Sequence, residues 1–162
     1  MAGKGQGYEG RQDRHVLGAD RRGRGPGVMD LADLEGHWRL GRVIEDRRAG
    51  LTGRFEGEAR WTRDGSRLVQ DESGLLRYGV AAPMRATRRY VWHADDAGLN
   101  VLFEDGRPFH IVPAAGDMAL HQCPPDAYRV LYVFDLPGRF TTTWHVTGPR
   151  KDATLTSIFT RV

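Results

Sequence analysis

The chain has 162 residues, of which 40% are hydrophobic and 28% charged, so its length and composition suit one globular domain. No apolar run approaches the roughly 18 residues that a membrane-spanning helix needs, and no apolar segment follows the basic start as in a secretory signal. The single cysteine, Cys123, excludes an internal disulfide and fits a reducing compartment. We therefore expect a cytoplasmic protein with no membrane partner.

Residues 1–28 form a tail rich in glycine and arginine. The first 27 residues contain eight of the 21 glycines and six basic side chains against three acidic ones, which accounts for the whole net charge of +3. Few aliphatic residues are present to offset the entropy of ordering, so we predict a disordered tail. Its Arg22-Gly23-Arg24-Gly25 stretch could touch nucleic-acid phosphates, although a solvated linker is favoured.

The rest of the chain is formally neutral, with 18 basic and 18 acidic residues over 28–162. The domain, which we place at 29–162, thus gives no electrostatic reason to expect a specific nucleic-acid partner. It begins with a helical turn that Asp30 can cap and Gly36 can end.

From His37 onward the pattern changes to short segments rich in Val, Thr, Tyr, Phe and Trp, separated by Gly, Pro and Asp. This alternation is typical of an all-β barrel or sandwich. We expect about ten strands from eleven candidate segments, at residues 37–46, 54–62, 67–70, 75–80, 85–93, 99–104, 109–112, 118–122, 128–135, 140–147 and 154–161.

The connections between these segments are short, and none is long enough for a crossover helix. A meander of hairpins closes most economically as an antiparallel up-and-down barrel, because closure removes exposed strand edges. We predict a calycin-like barrel of about eight to ten strands, with a flattened sandwich as the alternative. Eight strands can enclose one small ligand, and a ten-stranded barrel a larger one.

The tripeptide Gly36-His37-Trp38 follows the helical turn at the start of the first strand. It resembles the Gly-x-Trp motif of lipocalins and other calycins. The resemblance implies that Trp38 closes one end of the barrel against a basic residue of the last strand. Arg161 lies where that partner is expected.

Five further motifs are spread over residues 31–162. They are Gly53-Arg54-Phe55-x-Gly57, Arg88-Arg89-Tyr90, Phe103-Glu104-Asp105-Gly106-Arg107-Pro108-Phe109-His110, His121-x-Cys123-Pro124-Pro125-Asp126-x-Tyr128 and Trp144-x-Val146-x-Gly148-Pro149-Arg150-Lys151-Asp152. Together they resemble an uncharacterised bacterial group, the domain-of-unknown-function family sixty-three-fourteen. The resemblance supports the domain boundaries and implies no established activity.

Polar residues that alternate with apolar ones along a strand are expected to face the lumen. An arginine there, such as Arg88, needs a carboxylate or an anionic ligand. Adjacent cations in the last turn could likewise receive a carboxylate or phosphate. The predicted ligand-binding residues are Arg88, Tyr90, His110, His121, Tyr128, Trp144, Arg150 and Lys151. They indicate a small-molecule-binding barrel with a partly apolar, anion-accepting lumen.

An enzyme that uses the same cavity is the alternative. Its candidate catalytic residues are His110 or His121 as general acid or base, with Asp126 or Tyr128 orienting it. No metal is expected, because no ligand pair has a recognised metal-site spacing. No cofactor is expected either, although haem held by one histidine, as in some ten-stranded calycins, is a further alternative. The sequence leaves open the ligand, the presence of a reaction, and the choice between monomer and homodimer.

Overall fold

The structure, a computed structural model, describes residues 29–112 and 118–162. It opens with a 3₁₀ turn at Leu31–Asp33, and the carboxylate of Asp30 accepts a hydrogen bond from the backbone N–H of Ala32. The predicted helical turn and its cap are therefore confirmed. Within the described ranges no helix is long and apolar enough to cross a membrane. The tail predicted over 1–28 lies outside them.

Ten antiparallel strands follow the turn, as the alternation of the sequence predicts. They are β1 (Gly36–Asp46), β2 (Leu51–Asp64), β3 (Arg67–Tyr78), β4 (Met84–Asp95), β5 (Gly98–Phe103), β6 (Pro108–Val112), β7 (Met118–Cys123), β8 (Asp126–Asp135), β9 (Arg139–Gly148) and β10 (Lys151–Arg161). Their hydrogen-bonded order is β6-β5-β4-β3-β2-β1-β10-β9-β8-β7. Because β10 returns to pair with β1, the sheet is the predicted up-and-down barrel and not a sandwich.

Strands β6 and β7 are the two ends of this sheet. They lie side by side, but over 29–112 and 118–162 no hydrogen-bonded ladder joins them. We call this junction the seam. Side chains cover it, since the Phe109 ring of β6 lies 5.0 Å from the His121 ring of β7, measured between ring centres. The barrel is thus nearly closed.

The length of β3 corrects one prediction. The sequence predicts two strands, 67–70 and 75–80, but Arg67–Tyr78 is one continuous strand. Glu72 is buried in the barrel interior, and Gly74 lies opposite a glycine of β2, where any Cβ atom would clash with the facing backbone. Polar and glycine residues that indicate a turn here allow a sheet to curve tightly around a polar interior group.

One end of the barrel is closed by Trp38, whose side chain is fully buried. Its indole N–H donates a 2.8 Å hydrogen bond to the carbonyl oxygen of Leu34. The guanidinium of Arg161 lies 4.2 Å from the centre of the Trp38 ring and donates to the carbonyl oxygens of Asp33 and Glu35. The closing pair that the calycin resemblance implies is confirmed.

Further aromatic rings pack on Trp38, and we call Trp38, Trp61, Phe140 and Phe159 together the closed end. Phe140 and Phe159 stack on each other with ring centres 4.3 Å apart. The two indoles meet Phe140 edge-on, at 5.1 Å for Trp38 and 5.8 Å for Trp61. All four rings are almost completely buried, so this end is a packed core and forms the floor of the space above it.

Candidate functional site

Above the closed end the barrel contains a cavity of about 830 Å³. Known small-molecule pockets span about 300–1,000 Å³ and combine a mainly apolar wall with a few polar groups. The wall here has that character. It includes six of the eight predicted ligand-binding residues, namely Arg88, Tyr90, His110, His121, Tyr128 and Trp144.

A β-bulge in β6 brings two successive side chains to this wall. Val101 of β5 pairs with His110, whereas Leu102 pairs with Pro108, so Phe109 is an extra residue. Strand alternation would turn Phe109 outward, but the bulge allows both Phe109 and His110 to face the cavity, with 7% and 6% of their surface exposed.

Three aromatic rings near the seam lie within 30° of the plane of Phe109, and we call Tyr90, Phe103, Phe109 and Trp144 the ring stack. Relative to Phe109, the ring of Phe103 is 4.4 Å away and tilted by 29°, and that of Trp144 is 5.1 Å away and tilted by 28°. The Tyr90 ring is 5.6 Å away and tilted by 13°. Phe109 thereby connects β4 and β5 on one side of the seam to β9 on the other.

His110 is held by a buried tyrosine. Its Nε2 lies 2.8 Å from the hydroxyl oxygen of Tyr132, and its Nδ1 is buried with no hydrogen-bond partner among the described residues. Burial, together with the nearby His121, lowers the pKa of His110 to about 3. Burial also raises the pKa of Tyr132 well above its usual value. Both groups are therefore uncharged at neutral pH.

The tautomer of His110 follows from counting donors and acceptors. The Tyr132 hydroxyl has no other acceptor in the described structure, so it satisfies its proton by donating to Nε2 of His110. The proton of the imidazole then sits on Nδ1. The opposite tautomer would leave two polar groups unpaired instead of one.

A second polar group of the wall is a buried ion pair between Arg42 and Glu72. One guanidinium nitrogen of Arg42 donates to both carboxylate oxygens of Glu72, at 3.0 and 2.9 Å. Arg42 also donates to the Ser157 hydroxyl, and the Gln70 amide donates to Glu72. Since the Trp92 indole N–H in turn donates to Gln70, the network is internally satisfied and fixed in place.

The sequence does not predict this network, although the alternation of β1 indicates that Arg42 faces the barrel interior. Arg42 continues the alternation of Trp38 and Leu40, which are both buried in β1. The burial of Glu72 is not indicated in the same way, because this residue lies between the two predicted strands 67–70 and 75–80. A buried carboxylate cannot be predicted until its partner on another strand is known.

The wall carries three cations and three carboxylates, from Arg42, Arg88, Arg89, Glu72, Glu104 and Asp105. Arg89 contacts Asp71 and Glu104, and Asp105 pairs with Arg107. Arg88 differs from these groups, because in the described part of the chain it has no carboxylate within ion-pair distance. Its one hydrogen bond is a long one, 3.4 Å, to the Tyr90 hydroxyl.

The remaining predicted residues, Asp126, Arg150 and Lys151, do not belong to the cavity wall. The Lys151 ammonium lies 2.7 Å from the Asp126 carboxylate and donates to the Tyr128 hydroxyl at 3.0 Å. These two contacts raise the pKa of Lys151. Arg150 is exposed in the turn between β9 and β10. Lys151 is thus already paired with a carboxylate of its own chain.

The candidate catalytic histidines do not form a hydrogen-bonded group with Tyr128. His110 bonds to Tyr132, and among the described residues His121 makes only ring contacts, with Phe103, Phe109 and Tyr128. Those residues also contain no cluster of three or more His, Cys, Asp or Glu side chains arranged for a metal ion. Because Nε2 of His110 is occupied by Tyr132, the haem alternative depends on His121.

Solved structures support the calycin-like fold. The S-type phycobiliprotein lyase CpeS from Guillardia theta superposes with a TM-score of 0.55 at 8% identity, over 82% of this chain and 90% of that protein. A protein of unknown function from the DUF3598 family of Nostoc punctiforme gives 0.52 at 12% identity, over 83% of this chain and 50% of that protein. A redesigned β-barrel, mFAP1, bound to DFHBI gives 0.43 at 17% identity, over 81% and 97%. At these identities the likeness to CpeS and to the DUF3598 protein concerns the fold alone.

The sequence comparisons identify the family. Curated proteins give no significant match. One family model, described as a family of unknown function, matches residues 34–161, which contain all ten strands. This chain is therefore a member of that family, DUF6314.

Proposed function

We propose that this protein binds a small, partly apolar and anionic molecule in the cavity above the closed end of its barrel. The observation that carries the proposal is the cavity of about 830 Å³ with an unpaired arginine, Arg88, in its aromatic wall. The apolar wall favours burial of an apolar body, and Arg88 favours a negative group at its end.

The hydrogen bonding of the polar wall groups supports a binding site that is preformed before the ligand binds. The Arg42–Glu72 pair is 10% and 4% exposed, and its hydrogen bonds are satisfied within the protein. It consequently needs no ligand charge for its own neutralisation. Arg88 is exposed and has no carboxylate partner among the residues that the structure describes, so an anion that reaches the cavity finds a donor there without displacing one of those carboxylates.

The same geometry gives less support to an enzyme. A general base works best when its pKa lies near the operating pH, and the pKa of His110, at about 3, is too low for that task. Asp126, proposed to orient a histidine, is instead paired with Lys151. The chemistry that the wall favours is stacking on neutral rings and hydrogen bonding to Arg88, which suits retention of a ligand.

Two fluorescent probes test the proposal, because they share one ring system and differ in charge. The anionic probe is 8-anilino-1-naphthalenesulfonate, and the neutral probe is N-phenyl-1-naphthylamine. The wild-type protein is expected to bind both. Arg88→Leu should weaken binding of the sulfonate by about 5–10-fold, the value of one charge-assisted hydrogen bond, and change binding of the neutral probe by less than about twofold.

Arg85→Leu is the matched control, since Arg85 is an exposed arginine on the opposite face of β4. It should leave both affinities unchanged. Near-ultraviolet circular dichroism of each variant verifies that the probes report on a folded barrel. Absence of saturable binding to wild type, or an equal loss for both probes in Arg88→Leu, would contradict the proposal.

A further inference from the structure

We infer that the open end of the cavity selects a planar aromatic anion, held by stacking on the Phe109–Trp144 side of the wall with its charge at Arg88. This inference rests on the proposed function and specifies the class of its ligand. It predicts discrimination by ring planarity among molecules of equal charge and carbon skeleton.

The first support is the orientation of the rings that line the cavity near the seam. Three rings lie within 30° of the plane of Phe109, at centre distances between 4.4 and 5.6 Å. Tyr90, Phe103 and Trp144 are only half-buried, unlike Phe109. A flat guest can extend such a set of parallel faces at the offset spacing that aromatic pairs prefer.

The second support is that the rings at the closed end already cover one another. There the indoles of Trp38 and Trp61 contact Phe140 edge-on, at 78° and 71°. Phe140 and Phe159 are parallel and belong to the cavity floor, but they stack on each other and are at most 3% exposed. Parallel, half-buried rings occur at the open end of the same cavity. The preference for planarity therefore belongs to one region of the lumen.

The third support is the placement of the charge relative to the rings. Arg88 reaches the hydroxyl of Tyr90, and Tyr90 is part of the ring stack. Burial raises the pKa of Tyr90, so its hydroxyl keeps its proton and can donate to an anion beside Arg88. A carboxylate at one edge of a flat ring system can thus meet Arg88 and Tyr90 while the rings stack toward Trp144.

The probes for this inference are 2-naphthoate and decahydro-2-naphthoate, which have the same carbon skeleton and charge but differ in planarity. Each is titrated against the protein loaded with 8-anilino-1-naphthalenesulfonate. We expect 2-naphthoate to displace the dye at a concentration at least about fivefold lower, because stacking adds to the burial that both acids share.

Variants of Trp144 provide the matched comparison. Trp144→Leu removes a flat face but keeps an apolar side chain, and it should reduce the preference for 2-naphthoate to less than about twofold. Trp144→Phe keeps a ring and should retain most of the preference. A merely structural role of Trp144 would change both acids equally in both variants.

The outcomes separate this inference from the proposed function. If the dye does not bind wild type, the proposed function fails and the inference fails with it. If the dye binds but the two acids displace it equally, or the saturated acid is better, the cavity is a binding site without selection for planarity. That second result would overturn the inference alone.

Discussion

The two ends of this barrel use aromatic side chains in different ways. At the closed end the rings of Trp38, Trp61 and Phe140 meet mainly edge-on and are buried. At the open end the rings around Phe109 lie within 30° of its plane and are partly exposed, next to an arginine that pairs with no carboxylate of 29–112 or 118–162. The same residue types thus build a core in one region and a candidate ligand surface in the other.

The difference in packing between the two ends follows from the structural elements that flank each set of rings. The closed end is backed by the 3₁₀ turn and by Arg161. The carbonyl oxygen of Leu34, just after the turn, accepts from the indole N–H of Trp38, and the Arg161 guanidinium lies over the Trp38 ring. The open end lies at the seam, where side chains and not backbone hydrogen bonds connect β6 to β7. Tight packing stabilises the fold, while incomplete packing leaves room for a guest.

The largest effect expected from this comparison is on stability. Trp38→Ala should lower the free energy of unfolding by about 3–5 kcal/mol, because it removes a buried ring and leaves the Leu34 carbonyl and Arg161 without that partner. Trp144→Ala, at a half-buried position, should cost less than about half as much. Urea denaturation measures both, and equal losses would show that the two ends do not differ in this way.

The next largest effect on stability is expected at the buried ion pair between Arg42 and Glu72. Glu72→Gln should destabilise the fold by about 2–4 kcal/mol, because it leaves the charge of Arg42 buried without a counter-ion. Replacing both residues by Met should recover most of that loss. A double-mutant cycle from urea midpoints measures the coupling. Additive single losses would mean that the pair contributes no interaction of its own.

The low pKa of His110 should make the stability of the fold depend on pH. Its pKa falls from the usual 6.5 to about 3 on folding, so below pH 6.5 the unfolded chain binds a proton that the folded chain does not. Stability should therefore fall as the pH falls through this window, by about 2–3 kcal/mol between pH 6.5 and 4.5 from this group alone.

His110→Gln should remove that part of the pH dependence, while His145→Gln, at an exposed position, should keep it. The measurement is the difference in unfolding free energy between wild type and each variant at the two pH values. The same pH dependence in wild type and His110→Gln would contradict the assignment of a neutral, buried imidazole.

The smallest effect is expected at the pair that lies outside the cavity wall. Lys151→Met breaks the exposed contact with Asp126 and should change stability by less than about 1 kcal/mol. It should also change binding of 8-anilino-1-naphthalenesulfonate by less than about twofold, as measured by fluorescence titration. A large loss of dye binding would contradict this expectation and would show that Lys151 contributes to ligand binding, as its position in the sequence predicts.

Much of the fold was predictable because strand alternation is local. Nine of the ten strands, the helical turn and the Trp38–Arg161 contact follow from spacing or from a short motif. The continuity of β3 was not predictable, since Glu72 and Gly74 indicate a turn unless the facing strand is known. Their roles depend on contacts with β1 and β2 across the sheet.

The cavity wall was predictable in part for the same reason. Alternation indicates that Arg88 and Tyr90 share a face, and the structure places both on the wall. The position of Phe109 depends on a bulge, which shifts the register by one residue. No residue pattern near Phe109 indicates that bulge. The partner of His110, Tyr132, belongs to a distant strand, and spacing along the chain does not indicate their contact.

The difference between the two ends can be measured directly through the indole N–H signals of the four tryptophans in a ¹H–¹⁵N spectrum, assigned with Trp144→Phe. On addition of 2-naphthoate, ring-current shifts should move the Trp144 signal most and leave the Trp38 signal in place, because only Trp144 belongs to the ring stack. Unchanged signals for all four, or shifts as large at Trp38 as at Trp144, would contradict an open end that receives the ligand above a closed end that does not.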